Sequence, residues 1–174
     1  LSESLSRIGA SVVGVDRSAQ IIQSAQQHAH EQGLEITYVH GTIDSLDDAY
    51  FTNHRFDVVC ALECLEHVMS PRRLIASLVS CLQPGGYAVF STLNRTLMSA
   101  VFGVFAAEYL LGWVEPGTHA YDKFIRPSEL VSMSEAAGLV LIDLRGISFD
   151  TRAQDFYLSD DVAINYIAIF RKPA

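Results

Sequence analysis

Two carboxylates and an imidazole, Glu63, Glu66 and His67, fall within five residues of one another and follow directly on an apolar run, residues 56–62. Side chains of these types do three kinds of work. Glu66 can cap a turn while His67 packs on a strand end, a purely architectural role. His67 can act as a general base on a substrate hydroxyl, since imidazole titrates near working pH. Alternatively the three can bind a divalent ion, Mg²⁺ or Zn²⁺, that makes a bound hydroxyl easier to deprotonate. At i, i+3 and i+4, a helix would put all three on one face. The spacing alone leaves these readings open.

A second histidine, His119, lies between Gly117 and Tyr121 in a polar stretch, where it reads either as a solvated loop residue or as an alternative base. The cysteines, Cys60, Cys64 and Cys81, all sit inside apolar patterns. They read as reduced, buried thiols, and no paired CxxC spacing suggests zinc.

The elements that must position these groups can be read from punctuation and period. Residues 2–8 look like the end of a helix that stops at Gly9, and 11–15 form a short strand followed by Asp16. Ser18 is a suitable N-cap for a helix closed by Gly33, and residues 35–39 form another strand. The run 56–62 is short, β-branched and almost continuously apolar, as a buried parallel strand should be. Pro71 opens a helix through Leu82, and Pro84-Gly85-Gly86 turns the chain into a strand over 87–91. Pro127 opens a helix up to Gly138, and 139–144 and 162–170 are strands that can pair antiparallel at the sheet edge. Helices and strands in this order predict an α/β fold with a doubly wound, mostly parallel, Rossmann-like sheet.

In such sheets ligands bind beyond the carboxyl ends of the strands, which is where Glu63 to His67 fall. Asp16 sits at another strand end, where a carboxylate can accept from both ribose hydroxyls of a nucleotide. Its usual companion, a glycine-rich turn about 20 residues upstream, is not in the sequence. Either that turn and a first strand precede Leu1, or Asp16 caps a turn and holds no nucleotide. The helix tail at the start favours the first reading.

With 174 residues, 49% of them hydrophobic, the chain can bury one core. Its 12 basic residues against 20 acidic ones, net −8, argue against a nucleic-acid partner, because no cationic excess is available to displace counterions. No apolar run reaches the ~20 residues of a membrane-spanning helix.

Several segments together carry a family resemblance: Gly9 to Asp16, Phe56-Asp57-Val58-Val59, Leu62 to Val68, and Leu82-Gln83-Pro84-Gly85-Gly86. To these are added Ser91-Thr92-Leu93-Asn94-Arg95-Thr96, Gly117-Thr118-His119, Lys123-Phe124-Ile125-Arg126-Pro127, and Leu158 to Asp161 with Asn165-Tyr166. The chain resembles the class I S-adenosylmethionine-dependent methyltransferases and, within them, the ubiquinone-biosynthesis O-methyltransferase family. The Leu-Glu-His and Pro-Gly-Gly motifs are broad, and the later segments are the narrow ones. Tyr121 stands where the family commonly has Trp.

The resemblance implies methyl transfer from S-adenosylmethionine to a polyprenyl catechol or hydroxyphenol. It implies Asp16 on the cofactor ribose, Leu62 beside the cofactor, and Thr42 and Ile43 among the cofactor-binding residues. It makes Glu63, Glu66 and His67 ligands of Mg²⁺, with Zn²⁺ or no metal as alternatives, and His67 or His119 the base. It implies one methyltransferase domain over 1–174, lacking its first strand and glycine loop, with an apolar lid or membrane insert at about 97–125.

Residues 97–113 would span ~25 Å as a helix. That is too short to cross a bilayer but suited to a buried helix or an interfacial one, with Tyr109 and Trp113 at headgroup level. A peripheral position follows: the matrix side of the mitochondrial inner membrane in a eukaryote, or the cytoplasmic face of the inner membrane in a bacterium. Other quinone-biosynthesis proteins are expected partners. Rival readings are an impaired scaffold of the same fold, a methyltransferase acting on another small phenol, and a nicotinamide-dependent dehydrogenase. The last is disfavoured by the broken rhythm after Ser91 and by the Glu-His cluster.

Overall fold

The computed structural model describes residues 1–42, 55–96, 98–99, 123–150 and 152–174. The chain divides into two compact units, Leu1–Asn53 and His54–Ala174.

In the first unit, helix α1 (Ser2–Arg7) leads to strand β1 (Val12–Asp16), helix α2 (Ala19–Glu31) and strand β2 (Ile36–His40). β1 and β2 pair in parallel, from Val12 opposite Ile36 to Asp16 opposite His40. The α2 start is as the sequence predicts: Ser18 Oγ accepts from the Ile21 amide at 3.4 Å, satisfying one orphan donor of the first turn. Ile22 and Ala29, seven residues apart on one helical stripe, are the buried positions of α2.

The second unit holds strand β3 (Phe56–Leu62), a single 3-10 turn (Leu65–His67), helix α3 (Pro71–Cys81), strand β4 (Leu82–Leu93) and helix α4 (Pro127–Ala136). Strands β5 (Val140–Asp150), β6 (Asp155–Ser159) and β7 (Asn165–Arg171) complete it. The sheet order is β3-β4-β7-β5-β6. β3 and β4 run parallel, and the pairs β4–β7, β7–β5 and β5–β6 are antiparallel. The α/β class stands, but the antiparallel part is larger than the one hairpin expected.

Two differences account for this. β7 inserts between β4 and β5 rather than lying at the edge. β6 falls between the two expected C-terminal strands and gives no strand signal, because Phe156, Tyr157 and Leu158 are all more than half exposed and show no alternation against a core. By contrast β7 alternates cleanly, burying Tyr166, Ala168 and Phe170. Those three are paired with Thr92, Phe90 and Ala88 of β4, all on the same side of the sheet. This side forms the core with Ile75 and Val79 of α3 and Leu130 of α4.

The Pro84-Gly85-Gly86 turn sets where β4 meets β3. Gly85 has φ +80°, open to glycine at little cost. A Cβ on Gly86 would stand 2.8 Å from the Asp57 carbonyl oxygen, so the bare backbone is what allows the approach. Next to it, at the C-terminal end of α3, Lys172 Nζ donates to the carbonyls of Val79 and Leu82 at 2.8 and 2.7 Å. A cation there satisfies carbonyls left without intrahelical partners.

Candidate functional site

β3 delivers its carboxyl end at Leu62, which is half-buried and paired with Ser91 of β4. The chain then makes an unusual move. Glu63 takes φ +49°, a left-handed conformation that costs a non-glycine residue about 1–2 kcal/mol. Ser91 holds it there. The Glu63 amide donates to both the Ser91 carbonyl and Oγ at 3.1 Å, and Ser91 Oγ donates to Glu63 Oε1 at 2.7 Å.

The expected helix carrying Glu63, Glu66 and His67 on one face therefore does not form. Only Leu65–His67 turn, in 3-10 geometry, with the His67 amide donating to the Cys64 carbonyl at 3.1 Å. Leu65 is fully buried and anchors this turn in the core. Glu66 is carried inward to 3% exposure, and its Oε2 accepts from Thr92 Oγ1 at 2.8 Å. Its Oε1 has no hydrogen-bond partner among the described residues. Glu63 and His67 are exposed.

Ser91 and Thr92 are adjacent on one strand, so their side chains project to opposite faces of the sheet. They pull the two carboxylates apart, Glu66 to the face covered by α3 and α4 and Glu63 to the other. Among the described residues no group of three His, Cys, Asp or Glu side chains is placed to hold a metal ion. As placed here, the residues expected as a ligand set, Glu63, Glu66 and His67, do not converge: one buried oxygen is available, and Glu63 turns to the other face. Cys64 is no substitute ligand. Burial, with the negative Glu66 and Glu63 nearby, pushes its thiol up to about 11, so it stays protonated and a poor donor.

Glu66 and His67 line a cavity of about 740 Å³ bounded by the 3-10 turn, the start of α3, the end of β4 and α4. Its floor and sides include Leu65, Ile125 and Met133, and its charged lining includes Arg72, Arg95, Lys123 and Glu129. An apolar cavity with a few converging polar groups is the usual form of a small-molecule site. Tyr166 closes the structure behind it. Its hydroxyl donates to the Ile125 carbonyl at 2.9 Å, and burial, with Glu129, Glu66 and Glu63 nearby, raises its pKa well above the usual phenol range. It is a strut and not a base.

The remaining sequence candidates divide between the units. Asp16 and Thr42 belong to the first. Asp16 Oδ1 accepts from the Ser18 amide at 2.7 Å, which fixes the carboxylate at the end of β1. That bond is the turn-capping role. Thr42 is exposed just beyond β2. Ile43, His119 and nearly all of the apolar stretch 97–122 lie outside the described residues.

Ser91, Thr92, Arg95, Glu129 and Tyr166 are the site residues that sequence reasoning did not single out. A signal existed for Ser91 and Thr92: two hydroxyls closing an otherwise apolar strand.

A family model described as a methyltransferase domain matches residues 1–144. The chain is 39% identical over 174 residues to a ubiquinone biosynthesis O-methyltransferase of Methylococcus capsulatus, covering all of this chain and 73% of that one. It is 44% identical over 174 residues to the protein of the same name from Idiomarina loihiensis, covering 99% of this chain and 70% of that one. Among solved structures, an S-adenosylmethionine-dependent methyltransferase from Methanosarcina mazei superposes with a TM-score of 0.69 at 18% identity, covering 99% of this chain and 87% of that one.

Proposed function

Since the chain belongs to the ubiquinone biosynthesis O-methyltransferase family, we propose that it transfers a methyl group from S-adenosylmethionine to a hydroxyl of a polyprenyl catechol. The observation that carries this reading beyond the family is the cavity lined by Glu66 and His67 at the end of β3, where the fold class binds ligands.

Asp16, oriented by the Ser18 amide, is the residue that would hold the cofactor ribose, with Thr42 just beyond β2 as a further contact; Ile43 and Leu62 are the other cofactor residues that the family motifs imply. When bound, S-adenosylmethionine supplies a sulfonium methyl carbon, to which the catechol oxygen bonds as the carbon–sulfur bond breaks. The chain's own task is to align the acceptor and remove its proton. His67, exposed on the cavity lining, takes that proton on a ring nitrogen; His119 is the alternative base. Glu66 Oε1, buried and without a partner among the described residues, accepts a hydrogen bond from the acceptor's second hydroxyl. No step is routed through Mg²⁺ or Zn²⁺, because Ser91 and Thr92 direct Glu63 and Glu66 to opposite faces.

A polyprenyl acceptor resides in a bilayer, so the reading extends to a peripheral membrane position, with other quinone-biosynthesis proteins as neighbours. The place that follows is the cytoplasmic face of a bacterial inner membrane or the matrix side of the mitochondrial inner membrane. Among the described residues no helix is long and apolar enough to cross a membrane, and the apolar residues 97–113 are the proposed contact. The test is mass-spectrometric detection of the methylated ring after incubation with S-adenosylmethionine and a short-chain prenyl catechol. Absence of product and of S-adenosylhomocysteine release would refute the assignment. Co-sedimentation with vesicles that is unchanged by Phe102→Ser and Phe105→Ser would refute the membrane contact.

A further inference from the structure

Arg95 is held by three hydrogen bonds on the wall of the cavity. Its Nε donates to the Phe124 carbonyl at 2.7 Å, and its two terminal nitrogens donate to the two oxygens of Glu129 at 3.2 and 2.9 Å. Glu129 is not a loose surface acid. Its Oε2 also accepts from the Arg126 amide at 2.9 Å, closing the first turn of α4. One guanidinium thus ties the end of β4 to residues 124–126 and to the start of a helix. Two further bonds run alongside, from the Ile125 amide to the Leu93 carbonyl at 3.2 Å and from Tyr166 to the Ile125 carbonyl.

The pair does not cross the cavity. It forms part of its wall, and Lys123 and Ile125, the residues on either side of the carbonyl that Arg95 grips, line the same space. Thr92, which holds Glu66, lies three residues earlier, on β4. Arg95 is therefore one of the ties, beside the two bonds to Ile125, that set the position of Lys123 and Ile125 relative to Glu66. A planar, five-donor fork can meet a carboxylate and a carbonyl together, which an ammonium cannot do.

We propose that Arg95 is a positioning residue for the methyl acceptor: the Arg95–Glu129 pair sets the distance between the Lys123–Ile125 wall and Glu66. This rests on the reading of the cavity as the acceptor site.

The experiment compares Arg95→Ala, Arg95→Lys and Glu129→Gln in steady-state methyl transfer, varying the prenyl catechol and S-adenosylmethionine separately. Each variant's thermal unfolding is followed alongside. Arg95→Ala is expected to raise the KM for the catechol about 10- to 100-fold, the scale on which small misplacements of an acceptor act. The KM for S-adenosylmethionine stays within about twofold. Arg95→Lys and Glu129→Gln each keep part of the network and are expected to fall between, so the result does not depend on the alanine variant folding. A catechol KM unchanged in the two conservative variants overturns the inference. So does a loss that affects both substrates in proportion to the unfolded fraction, which is what a merely structural role gives. A wild-type protein that methylates no catechol overturns the functional reading and the inference with it. An active wild type with indifferent Arg95 variants overturns the inference alone.

Discussion

Replacing Thr92 by valine isolates the bond that holds Glu66. The two side chains have nearly the same shape, so packing at this fully buried position is conserved while the hydroxyl is lost. Glu66 is 97% buried, Thr92 Oγ1 is the hydrogen-bond partner of Oε2, and Oε1 has none among the described residues. The substitution therefore removes a donor from a carboxylate that cannot recover its hydration. Hydrogen bonds to charged groups contribute about 1.5–3 kcal/mol, and an abandoned buried partner sets the upper end. A loss of ~2–3 kcal/mol is expected for Thr92→Val.

Thr92→Ser keeps the hydroxyl and should lose only ~1 kcal/mol, for one buried methyl group. The assay is urea unfolding, reading the midpoint at constant slope. In a Glu66→Gln background, where no charge is left stranded, the valine change should cost no more than ~1 kcal/mol, giving a coupling of 1–2 kcal/mol in the double-mutant cycle. Thr92→Val within ~0.5 kcal/mol of the wild type, or strictly additive variants, would show that Glu66 does not depend on Thr92 and would refute the account of how this carboxylate is held.

His67→Gln should lower kcat for methyl transfer by about 10²–10⁴ with little change in KM, the range for loss of a general base; activity within threefold of the wild type would shift the role to His119. Methyl transfer is expected to survive exhaustive chelation, since the sheet keeps Glu63 and Glu66 apart, and a tenfold loss restored by Mg²⁺ would show that both leave their hydroxyl partners. The Cys64 thiol, at about 11 instead of 9.0, should carry roughly 100-fold less thiolate than a free cysteine below pH 9, so iodoacetamide should label it that much more slowly in the folded state. The sign of the stability effect follows: the unfolded chain ionises this thiol first, so folding stability falls as pH rises from 9 towards 11, and a pH-independent unfolding midpoint over that range would contradict it.

Local signals carried most of the elements. Ser18 before α2, Pro71 before α3 and Pro127 before α4 mark helix starts that the structure keeps within a residue. The apolar run 56–62 is β3 to the residue. The failures share a cause in distance along the chain. Glu63, Glu66 and His67 have helical spacing, but Ser91, 28 residues away, holds Glu63 in a left-handed turn, and no local pattern encodes that. Arg95 lies inside one family motif and Glu129, 34 residues on, just outside another, and they become a pair only once β4 and α4 are in place. β6 escaped because its apolar residues face outward, where periodicity against a core gives no guidance.

The side-by-side placement of Ser91 and Thr92 also bears on how the chain reaches its folded state. A shift of β4 by one residue along β3 turns every side chain to the opposite face. Moved one way, Leu93 would meet Glu66; moved the other, Phe90 would meet Glu63. Either slip takes a hydroxyl partner from one of the acids, at the greater cost where the buried Glu66 loses it, so only the native alignment satisfies both acids at once. The two hydroxyls act as a proofreading step for strand register, and a misaligned chain is penalised at the site where a working one is needed.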